Sequence, residues 1–340
     1  MPYFELASNV SKIAFSAGFL SNTFLIYLTV FHVKAVFGTY KKMVIIFAIL
    51  GITFSGLEIL AKPFAHNFNN CVMYFSVNTW IQPQSISQLL IAIWAGLYLV
   101  IVSFISVQFI YRHCCLSNVR WAKKFDGLGC FLWMGYPLIP GAIYASSFYW
   151  FCLPDEYSDD CVRETILKNY ALATADVARF MVAPYTSEGS WRLNNSFFLL
   201  SGVVSIWLHY SVILYCGVKM HLNMKEELKK FSVVNRKLQR QFFKALVFQS
   251  IGPTVFLVLP VAPTIIAPLV APYLSLEINW QTGWLYSIVG MYPPFDSVAF
   301  MLIVTEYRKI IRDRYLFVCT KRYLAGNIQV VSTSSQVVNN

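Results

Sequence analysis

The sequence predicts an all-α integral membrane protein, a seven-transmembrane helix bundle with its N-terminus outside the cell and its C-terminus in the cytosol. Three observations predict it. Of 340 residues, 57% are hydrophobic and only 13% are charged, against about a quarter charged in a soluble domain. The apolar residues fall in long uncharged runs near the ~20 residues that a helix needs to cross a bilayer, without the ~10-residue alternating segments of a membrane β-barrel. The basic residues gather on one side of those runs.

The chain reads as one receptor-like unit over residues 1–340, with spans at about 13–31, 43–61, 85–111, 127–151, 193–218, 245–272 and 282–304. Only one basic residue, Lys12, precedes the first run, which is too long for a signal-peptide core, so the first helix serves as its own anchor. Residues 63–111 contain no charge, and the third helix is placed in their later part. The sixth run holds Pro253, Pro260, Pro263, Pro268 and Pro272; each removes a backbone donor and bends the helix. Residues 305–340 form a cytosolic tail, in which the basic, partly amphipathic stretch 306–318 suits a short helix on the inner leaflet, with Cys319 as a candidate for acylation.

Orientation follows from Lys and Arg. Cytosolic positions comprise Lys34, Lys41 and Lys42; Arg112, Arg120, Lys123 and Lys124; eight residues from Lys219 to Lys244; and Arg308, Lys309, Arg312, Arg314, Lys321 and Arg322. That is 21 of 27, leaving Lys12, Lys62, Arg163, Lys168, Arg179 and Arg192 outside. The bias is a strong positive-inside signal. It accounts for the net charge of +11 without a nucleic-acid partner, and it disfavours seven-helix odorant channels of the insect type, whose orientation is opposite. No histidine spacing suits a metal, no nucleophile motif or phosphate loop is present, and no cofactor is implied; the chain does not read as an enzyme.

Two carboxylates, Glu58 and Asp296, fall within spans, where an ionisable group is costly and a functional candidate. At ~1.5 Å rise per residue, Asp296 lies about 12 Å and Glu58 about 22 Å above the cytosolic face, so they do not pair. Asn22 and Thr53 fall level with Asp296, making an Asn22–Thr53–Asp296 cluster geometrically possible. Of the eight cysteines, Cys71, Cys152 and Cys161 face the oxidising side; three disulfide pairings are open and the sequence does not choose.

Four sets of residues carry a family resemblance. They are LSNTFLIYL and FGTYKKMVI between Leu20 and Ile45; EILAKPFAH from Glu58; QFIYRHCC, with Tyr111 and Arg112; and RKLQRQFFKALVFQSIGPTVFLVLP (from Arg236) with YPPFDSVAFMLIVTEYRKII (from Tyr292). In order and spacing the chain resembles the Str class of nematode serpentine seven-transmembrane chemoreceptors. It departs at Ser297, where the family often has a proline, and at His113, where it often has an aromatic. The resemblance implies a heterotrimeric G-protein partner, a small odorant or water-borne ligand, and residence in the cilia of chemosensory neurons.

A G-protein-coupled chemoreceptor is therefore the leading reading and a ligand-gated seven-helix cation channel the alternative. The ligand pocket is expected in the outer half of the bundle between spans three, five, six and seven. Its candidates are Gln84, Gln88, Ile91, Asn195, Phe198, Ser205, Thr264, Trp284, Ser287 and Met291; no charge lies among them, so the ligand is expected to be uncharged. Tyr111, Arg112, Lys229, Lys230, Arg236, Lys237, Arg240, Lys244, Tyr307 and Arg308 are expected on the G-protein face. Asn22, Thr53 and Asp296 are expected to form a polar switch, with Pro253 and Pro260 as the hinge of a moving sixth helix.

Overall fold

The computed structural model describes residues 2–33, 38–78, 80–117, 119–229, 232–274 and 277–316. Span one is the helix Pro2–Tyr27, prolonged by a π turn over Leu28–His32. Span two is Gly38–Ala61 and span three Gln84–Ser117. Span four is split into Leu128–Gly135 and Leu138–Phe151, where Pro137 interrupts the backbone ladder. Span five, Leu193–Lys229, runs well past its expected end at residue 218. Span six comprises Val233–Pro253, a π turn over Thr254–Val258, and Leu259–Leu274. Span seven comprises Trp284–Val289 and Tyr292–Ile303.

Six of these helices are long and apolar enough to cross a bilayer. The seventh, Trp284–Ile303, qualifies together with Thr305–Arg314, from which it is bent by 83°. The bend follows Val304, which is extended, so a short helix at Thr305–Ile310 leaves the bundle almost at a right angle. The expected stretch 306–318 is thus helical as far as residue 316; Cys319 lies outside the described residues.

Spans three and four approach closely because small residues face each other. A Cβ on Gly96 would lie 2.7 Å from the Gly141 carbonyl oxygen, and a Cβ on Gly141 only 2.3 Å from Val100 Cγ2. Without a hydrophobic driving force between helices in lipid, such backbone proximity supplies the packing.

One end of the bundle carries a feature absent from the sequence reading. β1 (Pro63–Phe68), β2 (Cys71–Ser76), β3 (Arg179–Val182) and β4 (Asn279–Trp280) form an antiparallel sheet in the order β3-β2-β1-β4. The two-residue connection Asn69–Asn70 closes β1 on β2, and Asn69 has φ 49°, a left-handed conformation that Asn tolerates. Alternate residues serve two cores. Val72, Tyr74, Phe180 and Val182 pack on the spans. Cys71, Met73, Phe75 and Met181 meet Val162, Ile166 and Tyr170 of a second layer, the helix Glu156–Tyr170.

That helix begins at a capping box, Asp155 with Ser158, and is held down by the ion pairs Arg179–Asp159 and Arg192–Asp155. Beneath it, His66 shares a 2.9 Å hydrogen bond with the Tyr170 hydroxyl. Burial lowers its pKa to about 4, so the ring stays neutral. The opposite end of the bundle carries Arg112 and the basic ends of spans five and six. We refer to the two as the sheet end and the basic end.

Candidate functional site

Toward the sheet end the spans enclose an apolar chamber of about 90 Å³. Span three contributes Ile91, Trp94, Ala95 and Tyr98, one helical face at spacings of three and four. Tyr144 and Phe148 come from span four; Phe198, Leu199 and Gly202 from span five; Val261 and Ile265 from span six; Tyr286 and Val289 from span seven. Tyr74 of β2 and Pro63 close the sheet end. The rings interlock: Phe148 stacks on Phe198 at 4.8 Å, and Trp94 meets Tyr286 edge-on at 5.6 Å. Within this wall the indole N–H of Trp94, itself buried, has no hydrogen-bond partner among the described residues. A buried donor without an acceptor is costly, and an indole can only donate.

A smaller, more polar cavity adjoins the chamber and shares Pro63 and Tyr286 with it. Glu58 lines it, buried, with Ser11 Oγ donating to its Oε1 at 2.9 Å and its Oε2 without a partner among the described residues.

Midway along the bundle, Gln249 Nε2 of span six donates to Asp296 Oδ2 at 3.3 Å, while Asp296 Oδ1 has no partner among the described residues. Beside it, Asn22 Nδ2 donates to the carbonyls of Gly18 (2.8 Å) and Pro293 (3.3 Å), and Ser297 Oγ donates to Ser21 Oγ at 2.8 Å. Spans one and seven are therefore joined at the expected depth, but the third member of the expected cluster is not there. Thr53 is exposed on the lipid-facing surface and donates to the Ile49 carbonyl of its own helix. The partner of Asp296 comes from span six instead. Pro253 and Pro260 flank the π turn of that span, where the missing donors loosen the ladder.

At the basic end, Arg112 is buried, not displayed. Its guanidinium lies 3.4 Å from the ring centre of Tyr40 (span two) and 4.2 Å from that of Phe242 (span six), and it donates to Gln239 Oε1 at 3.2 Å. Among the described residues no carboxylate pairs with it. Three spans are thus clamped around one cation by aromatic faces. A second tie lies close by: Gln241 Nε2 donates to Thr305 Oγ1 (2.6 Å) and its Oε1 accepts from the Thr305 N–H (3.1 Å), holding the short helix to span six. Tyr307 is fully buried, its hydroxyl 2.9 Å from Thr29 Oγ1, and Tyr111 is half-buried against Phe125. Of the remaining expected basic face, Lys229, Lys237, Arg240, Lys244 and Arg308 are exposed and Arg236 is half-buried; Lys230 lies outside the described residues.

Of the expected pocket residues, the chamber unites only Ile91 and Phe198. Thr264 is buried nearby, its carbonyl accepting from Asn67 Nδ2 of β1 at 2.8 Å. Gln84 and Gln88 donate at 3.0 Å to the carbonyls of Ala175 and Arg179, fastening span three to the loop and strand above it. Asn195 has a similar structural duty, accepting from the Ala183 N–H and donating to the Phe151 carbonyl. The Ser205 carbonyl lies 2.6 Å from His209 Nδ1, Ser287 lines the smaller cavity, and Trp284 and Met291 are exposed. Span four also contributes, which the expected set omitted. Six of the ten expected residues are polar, whereas the chamber is mainly aromatic and aliphatic; continuing from Ile91 at helical spacing reaches Trp94 and Tyr98.

Of the three candidate cysteines, Cys71 and Cys161 meet in the cluster between sheet and overlying helix, and the neighbouring Cys161 thiol, with burial, pushes Cys71 upward. Cys152 is buried apart from them, beside Asn195.

A family model described as serpentine type 7TM GPCR chemoreceptor Str matches residues 7–312. The chain is 37% identical to G-protein coupled receptor str-33 of Caenorhabditis elegans, over 92% of its own length and 91% of the relative's. It is 25% identical to serpentine receptor class r-10 of the same organism, over 84% and 83%. Among solved structures, squid rhodopsin shares the fold with TM-score 0.52 and 12% identity, covering 94% of this chain and 82% of that one.

Proposed function

Because the chain belongs to the serpentine type 7TM GPCR chemoreceptor Str family, we propose that it is a chemosensory receptor of the plasma membrane, sited in sensory cilia, that activates a heterotrimeric G protein. Its sheet end faces outward and its basic end faces the cytosol, in keeping with the distribution of Lys and Arg. The ligand is a small, uncharged molecule held in the aromatic chamber, and it carries a hydrogen-bond acceptor for the Trp94 N–H. That orphaned donor, in a wall whose other polar groups are tyrosine hydroxyls, is the observation that supports this reading most. The chamber is smaller than the ~150 Å³ apolar cavity that admits benzene, so ligands of a few heavy atoms are favoured.

An odorant panel against the receptor in a reporter cell tests the reading. Agonists are expected among small ketones, aldehydes, esters and ethers. Trp94→Phe keeps the ring and removes the donor, so potency should fall about tenfold for them, as for loss of one buried hydrogen bond of ~1–1.5 kcal/mol, with surface expression unchanged. Equal potency would show that Trp94 does not orient the ligand; a strongly charged best agonist would remove the chamber as its site.

Cys71 and Cys161 are proposed to be joined as a disulfide. Each thiol loses its proton and one electron to the dithiol–disulfide oxidants of the secretory pathway. Peptide mapping of the non-reduced receptor should recover a Cys71–Cys161 linked pair and a free Cys152; alkylation of both Cys71 and Cys161 without prior reduction would refute the pairing.

A further inference from the structure

The sheet end of the chamber is roofed twice. β2 is buried along its whole length, Tyr74 and Pro63 themselves form part of the chamber wall, and the helix Glu156–Tyr170 lies over the sheet. A ligand coming from water down through the sheet would have to displace both layers.

The side wall is different. Spans five and six are tied near mid-depth, where Tyr210 Oη and Thr254 Oγ1 lie 2.9 Å apart. They are tied again at the sheet end through the loop that precedes span five, where the Tyr185 hydroxyl donates to the Leu269 carbonyl at 3.2 Å. Thr254 and Leu269 are separated by roughly 22 Å of helix at ~1.5 Å per residue. Between the two ties the facing residues are Val203 and Ile206 on span five and Val261 and Ile265 on span six, all of which line the chamber. Val203 is 59% exposed while lining it, and a residue that does both marks an opening. The surface around it is apolar and exposed, with Leu200, Val204 and Trp207 on one side and Ile266 and Leu259 on the other, a face that hydrocarbon would cover. Gly202, next to Val203, has no room for a side chain: a Cβ there would lie 2.8 Å from the Tyr144 ring.

We propose that the chamber is loaded sideways from the bilayer, through the gap between spans five and six, so that its ligands are uncharged compounds that partition into lipid. The proposal rests on the receptor reading above for the meaning of the chamber, but not for its test. The ligand would reach Trp94 having already left water, so even a compound sensed from an aqueous source would arrive by way of the membrane.

The test uses the full-length receptor in lipid nanodiscs and two photoreactive probes, a small uncharged dialkyl diazirine and its trimethylammonium analogue, which stays in water. Labelling is read by peptide mass spectrometry at Ile91 and Trp94, both buried from lipid. The uncharged probe should label them and the charged one should not. Val203→Trp and Ile265→Trp should slow labelling by the uncharged probe several-fold, whereas Val298→Trp, on the exposed face of span seven, should leave it unchanged. Val203→Ala, which cannot overpack, should speed it, and keeps the test available if the tryptophan variants fail to fold. Labelling by the charged probe at a comparable rate, or rates indifferent to residues 203 and 265, would overturn the route. No agonist is needed. If labelling follows the gap but no odorant activates the receptor, the access route stands and the chemosensory reading falls; if odorants activate but labelling ignores the gap, the reverse holds.

Discussion

Replacing Phe242 or Tyr40 with leucine is expected to raise ligand-independent signalling. Both rings lie against the Arg112 guanidinium, and a desolvated cation–π contact is worth about 2 kcal/mol. Losing one such contact shifts a resting-to-active ratio by roughly thirtyfold, provided the contact is broken when span six swings away. Because no carboxylate among the described residues pairs with Arg112, the aromatic faces carry the restraint, and the Gln239 bond alone would be a weak substitute. Arg112→Gln should act in the opposite direction. It removes the cation that the opened basic end would offer to the G protein, so signalling should be lost at matched surface expression. If all three variants raise basal activity alike, Arg112 is a latch and contacts no transducer.

Gln249→Leu is expected to destabilise the receptor. Gln249 donates a hydrogen bond to the Asp296 carboxyl, and leaving a buried polar group unpaired costs about 1–3 kcal/mol, more if it is charged. Adding Asp296→Leu removes the orphan and should recover most of the loss, because an apolar pair in place of a polar one can be nearly neutral. The measurement is the melting temperature of the purified receptor for both single variants and the double variant. A double variant as unstable as the sum of the singles would mean that the two side chains are not coupled. Asp296→Asn keeps the shape and much of the bonding. If the carboxyl biases spans six and seven between two arrangements, that variant should reach the surface with altered basal activity or maximal response.

The bundle was legible because lipid imposes a simple constraint: every span had to be a long apolar helix. The sheet was not legible. β1 and β2 are buried on both faces, so residues 63–76 lack the regular apolar–polar alternation of a half-exposed strand, and the neighbouring His66 and Asn67 are both buried in β1. The depth argument correctly placed Asn22 beside the span-seven segment that carries Asp296, yet it failed for Thr53, because rise per residue gives height and not azimuth. The same limit misdirected the pocket, whose polar candidates Gln84, Gln88 and Asn195 lie at plausible heights but serve as fasteners between helix ends and loops. Arg112 was identified by its position in the tyrosine–arginine motif; its aromatic partners could not be, since Tyr40 and Phe242 meet it only through tertiary packing.

The central claim, that this bundle is a receptor coupled to a G protein through a span-six clamp at Arg112, is tested most directly by guanine-nucleotide exchange. The purified receptor and its Phe242→Leu variant are reconstituted in nanodiscs with heterotrimers of each Gα class, and uptake of a non-hydrolysable GTP analogue is followed without ligand. With at least one heterotrimer, the variant should accelerate uptake well above the unmodified receptor. Arg112→Gln should abolish the acceleration when combined with Phe242→Leu. No acceleration with any heterotrimer, together with ligand-evoked ion current from the same preparation, would contradict the account and favour a seven-helix channel.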